Sequence, residues 1–185
     1  MKPTHAPDSN PSPTEISNAF IAQARALLST DYLPKIEACL EQLTDQDVWW
    51  RANQESNSIG NLMLHLSGNL RQWIVCGLGG AADQRERQQE FDERALIPRS
   101  ELFAKLTQTV AEVDDVLARY DPAQMLSVRR IQGNEVTALE AIFHVTEHFS
   151  MHTGQIILLT KVLTKKDLKF YDFSTGTPVH TWQHE

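Results

Sequence analysis

The sequence predicts an all-α protein, a four-helix bundle with a long crossover connection between its second and third helices. Three observations predict it. Four stretches of about 20–30 residues repeat apolar side chains at helical spacing. Capping and stop residues bracket most of them. The segment between the second and third, Ala81–Arg99, is polar and charged, and longer than a tight hairpin between neighbouring helices needs.

The chain has 185 residues, 41% of them hydrophobic, enough to bury the core of one domain. Residues 1–13, rich in Pro, Ser and Asn, read as a disordered tail. Residues 14–164 read as the bundle, and 165–185 as an irregular tail packed on it. The first helix runs from about Thr14 to Leu43, with Ile16, Phe20, Ala24, Leu27 and Leu28 on its apolar face. Pro34 should kink or restart it, with Asp31 as a cap for the second half. Thr44–Asn57 is a loop or short turn whose Trp49 and Trp50 need burial or an interface.

The second helix opens at Asn57-Ser58 and stops at Gly79-Gly80, presenting Leu62, Leu66, Trp73 and Cys76 inward. His65 lies on or beside that face, and Asn69 follows one turn later. The third helix runs from Ser100, its expected cap, to Tyr120, where Asp121-Pro122 ends it. A short hairpin around Gly133-Asn134 is expected next. The fourth helix, Thr137–Leu163, opens on the capping box Thr137/Glu140. It carries Leu139, Phe143 and Ile157 opposite its main face. A helix apolar on both sides is fully buried. The surplus is read as a homodimer contact, unless Phe170, Tyr171 and Phe173 of the C-terminal tail fold back over it.

Charge and composition exclude several classes. Net charge is −7, and the basic pairs Arg129-Arg130 and Lys165-Lys166 stand alone, so there is no footprint for nucleic acid. No apolar run suits a membrane span, and the N-terminal stretch lacks the apolar core of a secretory signal. Cys39 and Cys76, far apart and in no CxxC, fit free thiols in a reducing cytoplasm.

Three of the seven histidines, His144, His148 and His152, follow one another at four-residue spacing on the fourth helix. They fall within roughly 40° of His148, on the inward face beside Ala141, Gln155 and Leu159. Buried imidazoles need partners. Two readings follow. The stripe is a histidine-lined core satisfied by carbonyls or carboxylates, or it holds a divalent metal with His65 as a third ligand. No Glu-x-x-His pair, CxxCH or His-Glu-x-x-His occurs, which removes di-iron carboxylate, attached haem and zincin sites. Neutral imidazoles suit Zn, Ni, Cu or Fe rather than Mg or Ca.

SIGNLMLHLSGNLRQWI and, about eighty residues on, HVTEHFSMHTGQIILLTKVL resemble the DinB/YfiT-like superfamily of bacterial four-helix proteins. HxxxHxxxHxGQI is the more specific motif. The resemblance covers the chain from the first helix to the FYDF segment. It implies the crossover bundle, often as a homodimer, and a divalent metal, Zn or Ni most often, on His65, His148 and His152. His144 is then an outer-sphere residue or substitute ligand. It further implies a small-molecule substrate, with thiol-dependent transferases using a low-molecular-weight thiol and metal hydrolases among relatives. Gln155 and Asn69 are candidate orienting groups. Where relatives carry His-His-Arg-Gly-Gln, this chain has Met151-His152-Thr153-Gly154-Gln155, so one histidine and the arginine are absent. The alternative is a non-catalytic dimeric binding protein with a structural or vestigial histidine site.

Overall fold

The computed structural model describes residues 10–181, so the tail expected over 1–13 lies largely outside the described residues. The described chain is all-α but for two small antiparallel hairpins. Its first helix starts at Pro13, with Ser12 as the cap and Glu15 closing the capping box. It continues as α1 (Pro13–Ala26), a π-helical turn (Leu27–Tyr32) and α2 (Leu33–Glu41). Pro34 is therefore accommodated rather than breaking the helix. Its missing N–H falls in the first turn after the π-helical stretch, where little is lost. Asp31 does not cap; its carboxylate pairs with Lys35 at 2.9 Å.

A four-residue helix, α3 (Asp45–Val48), forms in the expected loop on the capping box Thr44/Asp47. It delivers Trp49 into the core, where Nε1 donates to the Ile97 carbonyl at 2.9 Å. Trp50 stays partly exposed. α4 (Ile59–Leu70) opens on Ser58 and Asn61 and runs on through a second π-helical turn (Arg71–Cys76). The crossover holds a short helix that sequence periodicity did not show, α5 (Arg87–Asp92). α6 (Arg99–Ala118) follows. Ser100 is not its cap; Asp45 from α3 accepts the Arg99 N–H at 2.9 Å instead. A 3-10 turn (Pro122–Gln124) leads to β1 (Val128–Ile131) and β2 (Asn134–Thr137). Their turn is Gln132-Gly133, both at positive φ, one residue earlier than expected. α7 (Ala138–Thr164) begins on the Thr137/Glu140 box and ends at Lys165, which is left-handed. The tail adds β3 (Tyr171–Asp172) and β4 (Val179–His180).

α4 packs on both α6 and α7, α2 on α7, and α1 on α6 and α7, around one apolar core. Arg25 of α1 makes a two-point ion pair with Asp114 of α6 at 2.6 and 2.9 Å. The helix buried all round is α4, not α7: only Leu64 and Gly68 of its twelve residues escape full burial, because α5 lies over its outer side. α7 keeps an open apolar side, with Phe143 59% and Leu158 62% exposed. The described residues of the C-terminal tail do not cover it. Phe170 joins the core, while Tyr171 approaches Lys35 of α2. No described helix is long and apolar enough to cross a membrane.

Candidate metal centre

His65 points inward from the middle of α4, and His148 and His152 from the middle of α7, which packs against it. One ring nitrogen from each lies within 4.8 Å of the others. His148 Nε2 is 3.2 Å from His65 Nε2 and 3.2 Å from His152 Nε2. Tetrahedral zinc, with nitrogen ligands at about 2.0–2.1 Å, spaces those nitrogens about 3.3–3.4 Å apart. Both separations at His148 are close to that spacing, and the His65 and His152 ring nitrogens lie within 4.8 Å of each other.

The proton inventory points the same way. His65 Nδ1 is 2.8 Å from Glu90 Oε2, and a carboxylate only accepts, so this nitrogen carries the hydrogen. Arg85 Nη2 lies 3.2 Å from the same nitrogen. Its N–H has a shorter acceptor in Glu90 Oε2 at 2.8 Å, so the closer carboxylate sets the tautomer. His152 Nδ1 meets Gln155 Oε1 at 2.7 Å and carries its hydrogen likewise. Both Nε2 lone pairs therefore face His148. One N–H on His148 Nε2 satisfies at most one of them. With the hydrogen on Nδ1 instead, three lone pairs converge. His148 Nδ1 is buried without a partner among the described residues. A cation resolves the convergence; no proton arrangement among neutral rings does so fully. The donor set fits a borderline metal.

Burial disfavours the charged form of His148, His152 and His144. Burial, then the neighbouring His152, His65 and His144, pushes His148 from 6.5 down to about 3. Burial also lowers His152 and His144. Burial alone would raise the Glu90 carboxyl, but hydrogen bonds and charge from Arg85 and His65 more than offset it and leave it below the ordinary carboxylate range.

Glu90 was not legible as a site residue, and it brings a network with it. Arg85 Nε and Nη2 grip its carboxylate at 2.7 and 2.8 Å, and Arg85 Nη1 donates to Gln72 Oε1 at 2.9 Å. Phe91 covers the His65 ring with centroids 4.7 Å apart. Asn61 holds α5 in place by donating to the carbonyls of Glu90 and Glu93. A lone aromatic, Phe91, within the charged crossover was the signal that this segment docks.

The other expected residues separate. Gln155 reaches His152. Asn69 does not reach the three histidines' nitrogens; its Nδ2 meets His144 Nε2 at 3.3 Å. His144 lies outside the trio, against the Trp73 ring at 4.1 Å, with Glu147 at 3.8 Å from its Nδ1. A cavity of about 480 Å³ lies behind α4 between the crossover and α6. Arg85 and Glu90 line it, and none of the three histidines does. Cys76 lines it too, as a thiol raised by burial rather than a ready nucleophile.

The fold and these side chains define a helical protein with a candidate three-histidine metal centre. The chain belongs to the family described as "Protein of unknown function (DUF1572)", which matches residues 15–177. The crystal structure of a conserved protein from Enterococcus faecalis is similar in fold, with a TM-score of 0.62 at 18% identity, over 83% of this chain and 98% of that one. No curated protein matches the chain.

Proposed function

We propose that this member of the DUF1572 family is a DinB-like four-helix bundle that holds one divalent metal, zinc or nickel, on His65, His148 and His152. Its four long helical arms and the crossover docked over α4 support that architecture. The observation that carries the metal reading is the pair of 3.2 Å separations at His148 Nε2. Three protein ligands leave a coordination position open, the arrangement of a catalytic site. We infer a metal-dependent enzyme of the thiol-transfer or hydrolysis type, acting on a small molecule. Bound there, the cation would supply the Lewis acidity that makes a thiol or water nucleophilic at neutral pH.

The chain's own residues have definite parts in this reading. Gln155 keeps the proton of His152 on Nδ1, so its Nε2 faces the centre. His144, Asn69 and Trp73 form a polar patch beside it. A second reading, a structural site in a non-catalytic dimeric binding protein, is favoured by one observation. The large cavity opens behind Glu90 rather than onto the histidines. We also infer a homodimer through α7, whose Leu139, Phe143, Met151, Leu158 and Val162 remain exposed.

The deciding measurement is metal content of purified wild type beside His148→Ala. One zinc or nickel per chain, absent from the variant, supports the centre. No uptake by wild type, even after incubation with each ion, overturns it. Exchangeable water on the loaded protein supports catalysis, and a closed fourth position supports the structural reading.

A further inference from the structure

Glycine is a poor choice in the middle of a helix; it weakens one by roughly 0.5–1 kcal/mol relative to alanine. Gly68 is such a glycine, three residues after His65 on α4, with an ordinary helical backbone. A Cβ built there would lie 1.9 Å from Glu90 Oε1 and 2.8 Å from Arg85 Nε. The side chain that is missing is the space the Glu90 carboxylate occupies. That carboxylate reaches His65 Nδ1 with its other oxygen, and both it and Arg85 are nearly buried, their side chains 11% and 5% exposed.

We propose that Glu90 is the positioning residue of the metal centre, fixing the His65 imidazole through Nδ1, and that Gly68 is the notch in α4 that admits it. The inference rests on the metal reading above. A carboxylate on the far nitrogen of a ligand imidazole fixes its tautomer and rotation and makes Nε2 a better donor. Arg85 keeps the carboxylate ionised and aimed. Asn61, one turn before His65, ties the end of α5 so that Glu90 arrives at the notch. The stretch from Asn61 through His65 to Gly68 is one device, and the crossover is part of the centre rather than a strap.

Gly68→Ala tests this without removing any charge. Alanine favours the helix and Glu90 Oε1 is the far end of a flexible side chain, so the variant should fold while the methyl displaces the carboxylate. Zinc affinity by chelator competition should fall about 10–100-fold in Gly68→Ala and in Glu90→Gln. Gly154→Ala, the same exchange in α7 where a Cβ meets nothing within 4 Å, should stay within about twofold. In the metal-free proteins, long-range proton–nitrogen NMR should show His65 with its hydrogen on Nδ1 in wild type and a tautomer mixture in Gly68→Ala. Should Glu90→Gln leave Arg85 uncompensated and fail to fold, Gly68→Ala decides alone. Wild-type affinity and an unchanged His65 tautomer in Gly68→Ala overturn the positioning role and leave the metal reading standing. Absence of zinc binding by wild type overturns both.

Discussion

Metal-free protein should lose stability in mild acid, and His148 accounts for a definable part of the loss. Its folded form is held neutral down to about 3, against 6.5 for the free side chain. A depressed folded value means the unfolded chain takes up the proton first as pH falls. The stability is therefore fully present above about 6.5 and drains away towards about 3. Between about pH 7.5 and pH 5, linkage at about 1.36 kcal/mol per unit gives a loss of about 2 kcal/mol from this one group. His148→Gln removes the titrating ring and keeps a polar side chain. Urea unfolding of chelator-treated protein, followed by circular dichroism, should show wild type losing about 2 kcal/mol more than His148→Gln over that interval, a midpoint difference of about 1 M. His144 and His152 steepen both curves, so the difference between them is the test. Parallel curves would mean that His148 is hydrated or partnered in solution, and the converging-lone-pair argument would fail with it.

Three further outcomes are expected. Gly60→Ala puts a methyl 2.8 Å from indole carbons of Trp49, which the Ile97 carbonyl pins, so unfolding should show a net destabilisation of about 1–3 kcal/mol. Equal stability would mean that Trp49 moves freely. Arg99→Met removes the guanidinium that donates to the Leu40 and Leu43 carbonyls at the end of α2. About 1–3 kcal/mol should be lost by urea unfolding, and an unchanged midpoint would place those carbonyls in water. Phe143→Glu lies on the open side of α7, so the fold should tolerate it, and the proposed dimer should sediment as a monomer in this variant. A wild type already monomeric at micromolar concentration refutes the dimer.

Much of the helical framework was legible because its signals are local. Ser58 and Thr137 read as caps because each bonds a backbone N–H three residues on, a contact written in the adjacent sequence. The stripe His144, His148, His152 was legible as a face for the same reason. Ser100 misled because the real cap, Asp45, comes from a different helix. α5 was invisible because it has no side-chain cap and no buried residue of its own. It is held by Asn61 and by Phe91 against His65, contacts across about 25–30 positions of sequence that no periodicity reports. The burial of α4 followed from the same omission, since α5 is what covers its outer side.

The histidine trio was legible as a possibility, but its chemistry was not, and the difference turns on Nδ1. Spacing says which rings share a face. It does not say where their protons reside, and that decides whether three imidazoles form a hydrogen-bonded core or a ligand set. Gln155 settles His152 from within α7, three residues away, and was within reach of sequence reasoning. Glu90 settles His65 from the crossover, and only Gly68 and the lone aromatic Phe91 hint at it beforehand. A glycine in mid-helix loses helix stability unless something needs its empty side. At Gly68 that something is a carboxylate, and at Gly60 it is an indole. Both lie on α4, the helix this protein buries most completely. Its small residues mark where other segments come closest, and one of those approaches ends on a ring nitrogen of the candidate centre.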